Sequence, residues 1–234
     1  MKNLCLIPAR SGSKGLPGKN TKSLNGKQLL EYTFESAAGS RLLDKTILST
    51  DCPVIAQAAF PYRVQVPFLR PAYLASDKTA TADVIRHAIN FFDECGERFD
   101  HVVLLQPTCP FRKPGFVDQC IDHFISSGAD SLFSVMKVPD HFNPHWVFEP
   151  GEDGFLNIAT GEKSPITSRQ QLPKTYARDG SVYIFKADIL RGVGSIYGEK
   201  IAHIQSENQW HVNIDTHEDW AKAEMIANVL CSVN

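Results

Sequence analysis

The residues best suited to chemistry lie close to the start of the chain. The stretch IPARSGSKGLPGKN, residues 7–20, holds three glycines, two prolines and three cations, and the apolar run Leu4–Ile7 leads directly into it. Glycines 12, 15 and 18 give a backbone that can fold around a ligand and turn its N–H groups inward. Arg10, Lys14 and Lys19 add positive charge, and a guanidinium can grip two oxygens at once. From Met1 to Leu30 there are six basic residues (Lys2, Arg10, Lys14, Lys19, Lys22, Lys27) and no acid, in a chain whose formal net charge is only −2. A local cationic field of this kind suits an anionic small molecule. Two common phosphate motifs fail here. A Walker loop needs four residues between its outer glycines and a Ser or Thr after the lysine, whereas five residues separate Gly12 from Gly18 and Asn20 follows Lys19. The dinucleotide fingerprint G-x-G-x-x-G is absent too. On these residues alone a solvated basic turn is the lesser, still open reading.

The elements that must position this loop alternate as parallel strands joined by helices do. Strands are expected at 2–9, 45–49, 64–69 (weakened by Pro67), 101–106, 131–138, 181–186 and about 202–205. Helices are expected at 27–40, 54–59, 79–92, 114–125 and 218–230. The result is an α/β fold, a Rossmann-like, mostly parallel sheet with helices on both faces. In such sheets ligands bind beyond the carboxyl ends of the strands, which is where residues 10–20 fall. Gln106, following the apolar run 102–105, emerges at the same edge. Asp77, closing LASD, could equally cap the helix that begins near Thr79. The whole of 1–234 reads as one domain, interrupted at 139–178 by an insertion rich in Pro, Gly, His and Asn.

Composition narrows the class further. Hydrophobic residues make up 43% and charged residues 21%, ordinary for a globular protein. Nucleic-acid and membrane partners are not expected from the charge balance. The first apolar run is cut by Pro8 and Arg10, too short for a signal core or a membrane span, so a cytoplasmic location is expected. The six cysteines are scattered, without a C-x-x-C pair, and read as buried free thiols.

Beyond the opening loop, FLRPAYLASD (68–77), LLQPTCPFR (104–112), RQQLPKTYARDGSVYIF (169–185) and NIDTHEDWAKAE (213–224) follow in order. With IPARSGSKGLPGKN they resemble the acylneuraminate cytidylyltransferase family, the CMP-sialic acid synthetases and their legionaminic and pseudaminic acid relatives. The resemblance runs from residue 4 to about 224. It implies the nucleotide-diphospho-sugar transferase type of α/β fold. It also implies transfer of CMP from CTP to the anomeric hydroxyl of a nine-carbon α-keto acid sugar, releasing pyrophosphate. Arg10 and Lys19 would hold the triphosphate, with Ser11, Gly12, Ser13, Lys14 and Gly15 around it. Asn20 and Arg70 match positions that select cytosine and ribose, and Ser76 and Asp77 complete the nucleotide set. Gln106, Arg169 and Gln170 match sugar contacts.

The family's Asp-x-Asp pair for Mg²⁺ reads Asn213-Ile214-Asp215 in this chain. Asp215, counted with Arg10 and Lys19 in the catalytic set, keeps one carboxylate, and Asn213 offers a neutral oxygen. In a strand, which the pair's place at the end of the family's sheet implies, both would face one site. Glu218 and Asp219 read as acids of a helix's first turn. The resemblance further implies a homodimer formed through 139–178, with Trp146 and Phe148 as its apolar contacts. After Pro144 come His145 and Trp146, where bacterial sialic acid enzymes often carry a lysine, so the identity of the nonulosonic acid stays open. A nucleotidyltransferase for another sugar acid, of the 3-deoxy-manno-octulosonate type, and a weakly active nucleotide-binding protein are the alternatives.

Overall fold

The computed structural model describes all residues except 193–194, 207–208 and 234, and the chain divides into two compact units, 1–134 with 179–234, and 135–178. The larger unit begins with strand β1 (Asn3–Pro8), then a two-strand hairpin, β2 (Ser23–Leu24) and β3 (Lys27–Gln28). Helix α1 (Leu29–Ala38), strand β4 (Lys45–Ser49) and the short α2 (Pro53–Gln57) follow. Next come α3 (Thr81–Glu94), β5 (His101–Leu104), α4 (Phe116–Ser127) and β6 (Ser131–Lys137). After the smaller unit, which holds β7 (Phe148–Pro150) and β8 (Leu156–Ile158), the chain closes with β9 (Tyr176–Lys186), α5 (Ala187–Arg191), β10 (Ile201–Gln205) and α6 (His217–Val233).

The six-stranded sheet has the order β10-β6-β9-β5-β1-β4. β1 pairs in parallel with β4 (Leu6 opposite Ile47) and with β5 (Leu6 opposite Leu104), and β5 pairs antiparallel with β9 (Val103 opposite Ile184). Leu4, Cys5, Leu6 and Ile7 are fully buried, as are Val102, Val103 and Leu105. A strand covered on both faces needs this continuous apolar run instead of an alternating one. The layer against Phe34, Leu48 and Phe124 forms one core, and α6 packs Trp220, Ala223 and Ile226 on Leu16, Leu24 and Leu29 in another.

Several boundaries differ from expectation, each for a local reason. Residues 64–69 make only isolated parallel bridges, Ile47 with Gln65 and Thr50 with Leu69, because Pro67 has no N–H to give a ladder. The helix expected from Lys27 begins at Leu29. Gln28 caps it in a reciprocal box in which its own N–H donates to Glu31 Oε2 at 2.6 Å. α3 starts at Thr81 instead of Thr79. Cys5, Cys109 and Cys120 are buried free thiols as expected, but Cys95 and Cys231 are exposed. Among the described residues no helix is long and apolar enough to cross a membrane.

Within the unit 135–178, β7 and β8 pair antiparallel, with Phe148 opposite Ile158. Buried Asn143 organises the turn before them, its Nδ2 donating to Pro173 O (3.0 Å) and its Oδ1 accepting from His145 N (3.1 Å). Trp146 differs from expectation: its ring is half-buried and Nε1 donates to Ile166 O at 2.6 Å, while Phe142, Phe148, Phe155 and Leu156 carry the exposed apolar surface.

β1 lies between two parallel partners, so its loss of volume has nowhere to relax. Leu6→Ala should lower the unfolding free energy by about 2–5 kcal/mol, read from the midpoint of a urea titration. A change under about 1 kcal/mol would mean that the central strand tolerates a cavity.

Candidate active site

The carboxyl ends of β1 and β5 open onto a cleft of about 250 Å³. Arg10, Gly12, Ser13, Lys19, Asn20, Arg70, Ser76, Asp77 and Gln106 line it, together with Thr79, Thr81 and Thr108. Most of the expected nucleotide residues thus meet in one place.

Each is held by a specific partner. Lys19, with a side chain 13% exposed, sends Nζ to Asp215 Oδ1 (2.8 Å) and Ile214 O (2.9 Å). Arg10 pairs through Nη2 with Asp77 Oδ1 (2.5 Å), and Lys14 Nζ takes the other oxygen, Oδ2, at 2.7 Å. Hydrogen bonds from Lys14 and then Arg10 hold the Asp77 carboxyl below the usual carboxylate range. Asn20 is buried and donates Nδ2 to Arg10 O at 3.0 Å, fixing the backbone from which that guanidinium projects. Arg70, 5% exposed, donates Nε to Ser49 Oγ (3.0 Å) and Nη2 to Ser49 O. Burial pushes its pKa down to about 10, against the opposing charge of Asp51, which leaves it cationic at neutral pH.

Of the three loop glycines only Gly18 has a left-handed φ, +67°. Gly15 is needed for a different reason: a Cβ there would lie 2.2 Å from Asp215 O. Gly12 meets neither constraint, since nothing lies within 4 Å of its Cβ position.

Residues 213–215 are not a strand of the sheet, yet their alternation survives. Ile214 is fully buried with its N–H on Thr108 O (2.9 Å), and Asn213 and Asp215 face outward. Asn213 Nδ2 donates to Asp215 Oδ2 (3.1 Å), and its Oδ1 lies 3.6 Å from the Cys109 thiol. Asp219 folds back to accept from Asp215 N (3.0 Å) and Thr216 N (2.9 Å), so it is occupied as a helix cap. Among the described residues no three His, Cys, Asp or Glu side chains cluster as a metal cage. The exposed Asp215 carboxylate is of the kind Mg²⁺ takes, since the ion commonly uses one or two carboxylates and fills its octahedron with phosphate and water, but the Asn213 amide turns its nitrogen, not its oxygen, toward Asp215.

Two residues with clear roles escaped the sequence reading. Asp51 accepts from Ser11 N (2.8 Å) and Ser11 Oγ (2.6 Å), anchoring the loop's first turn. Burial pushes its carboxyl up, but those bonds and the charge of Arg70 outweigh it and leave the group below its ordinary value. Its signal was available, since Ser49-Thr50-Asp51 sits at the carboxyl end of a parallel strand. Arg112 ties three elements together, with Nε on Ser181 O (2.8 Å), Nη1 on Thr33 Oγ1 (3.0 Å) and Nη2 on Gln106 O (2.7 Å). Nothing local in the sequence announced that.

Arg169 and Gln170 belong to the smaller unit. They line a cavity of about 400 Å³ with Lys137, Asp140, Lys174 and Thr175, and Asp140 bonds to Arg169 Nε.

The cytidylyltransferase family profile matches residues 4–214, and the chain belongs to that family. Among its relatives, the CMP-N,N'-diacetyllegionaminic acid synthase of Legionella pneumophila is 35% identical, over 97% of this chain and 96% of that protein. The pseudaminic acid cytidylyltransferase of Campylobacter jejuni is 31% identical over 78% of each. A solved CMP:2-keto-3-deoxy-manno-octonic acid synthetase complexed with CTP superposes with a TM-score of 0.71 at 15% identity, covering all of both chains; that likeness is one of fold.

Gly15→Ala should displace the loop from Asp215 and cut catalytic efficiency with CTP by about 100-fold, the cost of misplacing a reacting group by an ångström, with the circular dichroism spectrum unchanged. Wild-type kinetics in this variant would show that the loop docks elsewhere.

Proposed function

We propose that the chain transfers a cytidylyl group from CTP to the anomeric hydroxyl of a nonulosonic acid, a nine-carbon α-keto acid sugar, releasing pyrophosphate. The observation that carries this is the convergence of Arg10 and Lys19 on the cleft beyond β1, with Lys14 paired to Asp77 of its lining. The full-length likeness to the legionaminic acid enzyme supports the sugar class. The sugar oxygen attacks the α-phosphorus in line: the new O–P bond forms, the bond to the β-phosphate oxygen breaks, and the hydroxyl proton leaves to solvent. Negative charge grows on the departing pyrophosphate, and fixed cations at that position lower the barrier. Lys19 is the best placed of them, because two acceptors already hold its ammonium. Asn20 and Arg70 border the base and ribose end, with Ser11, Gly12, Ser13, Gly15, Ser76 and Asp77 around the phosphates.

Gln106 contacts the sugar in the cleft; Arg169 and Gln170, on the smaller unit, are the further sugar-binding residues, and Arg169 suits the sugar carboxylate. Asp215 and Asn213 would hold Mg²⁺, which supplies charge neutralisation at the phosphates when bound. The exposed Phe142, Phe148, Phe155 and Leu156 support a homodimer formed through the insertion. A cytoplasmic location follows from the need for CTP.

Pyrophosphate release from CTP and Mg²⁺ should occur with one of N-acetylneuraminic, legionaminic or pseudaminic acid, and not with 3-deoxy-manno-octulosonic acid. Lys19→Ala should then lose about 2.7–4 kcal/mol of transition-state stabilisation, a hundred- to a thousandfold in kcat. Release with the octulosonic acid alone would overturn the sugar assignment, and bound CTP with no release would favour the weakly active alternative. Asn213→Asp should lower the Mg²⁺ concentration that half-saturates activity; an unmoved metal titration would remove residue 213 from the ligand set.

A further inference from the structure

Asp77 has no structural duty of the kind its position suggests. α3 begins at Thr81, its N-cap is Ala80, and no side chain caps it. The Asp77 carboxylate instead spans two cations of the opening loop, Arg10 Nη2 at 2.5 Å and Lys14 Nζ at 2.7 Å. It stands on a short turn, where Ser76 Oγ and Thr79 Oγ1 are 2.9 Å apart and Thr79 Oγ1 donates to Tyr73 O at 3.3 Å. Lys19, by contrast, is fixed from the opposite side by Ile214 O and Asp215. The loop thus has one closely anchored cation and two that share a single exposed counter-ion, Arg10 adding only a long bond from Nη1 to Ala75 O at 3.4 Å.

We infer that Asp77 is a counter-ion latch: it holds Arg10 and Lys14 while the cleft is empty, yields them to the triphosphate, and takes them back as pyrophosphate leaves. This rests on the assignment of the cleft to CTP. Phosphate oxygens entering beside Asp77 compete with its carboxylate for the donors of Arg10 Nη2 and Lys14 Nζ. Exposed pairs of this type are weak and screened by salt, so the exchange costs little, and a polyanion outcompetes one carboxylate. The same competition opposes retention of pyrophosphate. Asp77 is accordingly a positioning residue that sets affinity at both ends of the cycle.

The test is calorimetric titration of wild-type, Asp77→Asn and Asp77→Ser protein with CTP, with pyrophosphate and with cytidine, at low and at moderate salt. Loss of the latch should tighten CTP and pyrophosphate by about three- to tenfold at low salt, less at higher salt, and leave cytidine unchanged. KM for CTP should fall while inhibition by pyrophosphate strengthens in proportion. Unchanged or weaker binding of both polyanions in the two variants, beside normal wild-type CTP binding, would overturn the latch alone. Failure of the wild-type protein to bind CTP would overturn the latch together with the reading of the cleft.

Discussion

Everything in the cleft depends on how the loop after β1 is moored to a segment almost 200 positions later. Lys19 reaches Asp215 and the carbonyl of Ile214, and Gly15 lies so close to Asp215 O that no side chain fits between. Ile214 is itself held by its N–H on Thr108 O and by complete burial. One buried residue therefore fixes the rim from three directions: the cationic loop, the turn after β5 and the carboxylate that neutralises Lys19. A flexible, glycine-bearing loop would otherwise sample many conformations and lose entropy on binding. Docked in this way, it is organised before the ligand arrives.

The charge arrangement follows from that mooring. Three loop cations, Arg10, Lys14 and Lys19, each have a carboxylate at hydrogen-bonding distance, and Arg70 sits beneath them against Ser49. A cluster of like charges is tolerable in a folded chain only if it is screened or paired. Asp77 and Asp215 supply that pairing from two different connections, and Asp51 sets its charge against Arg70, which is why an acid-free first 30 residues can fold onto a nearly neutral protein.

Much of this was legible in the sequence because it is local. The apolar runs at 4–7 and 102–105 declare strands covered on both faces, and the glycines and cations of residues 10–20 read as an anion-binding loop after the first of them. Residues 213–215 show how a correct placement can come from an inexact element: the segment is no strand, yet period-two alternation around buried Ile214 still turns Asn213 and Asp215 outward. What the sequence concealed is non-local. Arg112 bonds acceptors on α1, β9 and the Gln106 turn, which only the fold brings together. Trp146 looked like contact surface because its type says so, whereas the carbonyl of Ile166, twenty residues on, claims its N–H. Residues 64–69 carried strand composition, and one missing N–H at Pro67 was enough to reduce them to bridges.

The way the smaller unit is spliced in has an evolutionary consequence. The chain leaves through β6 and returns through β9, neighbours in the sheet, and Val138 N donates to Thr175 O at 3.0 Å just past them. A segment whose two ends are already hydrogen-bonded neighbours adds little closure cost whatever its length or content. Selection can rewrite the forty or so residues between those ends without shifting the register of β1, β4 or β5. A lineage thus has a replaceable module on which to adapt, while the sheet that carries the cleft descends unaltered.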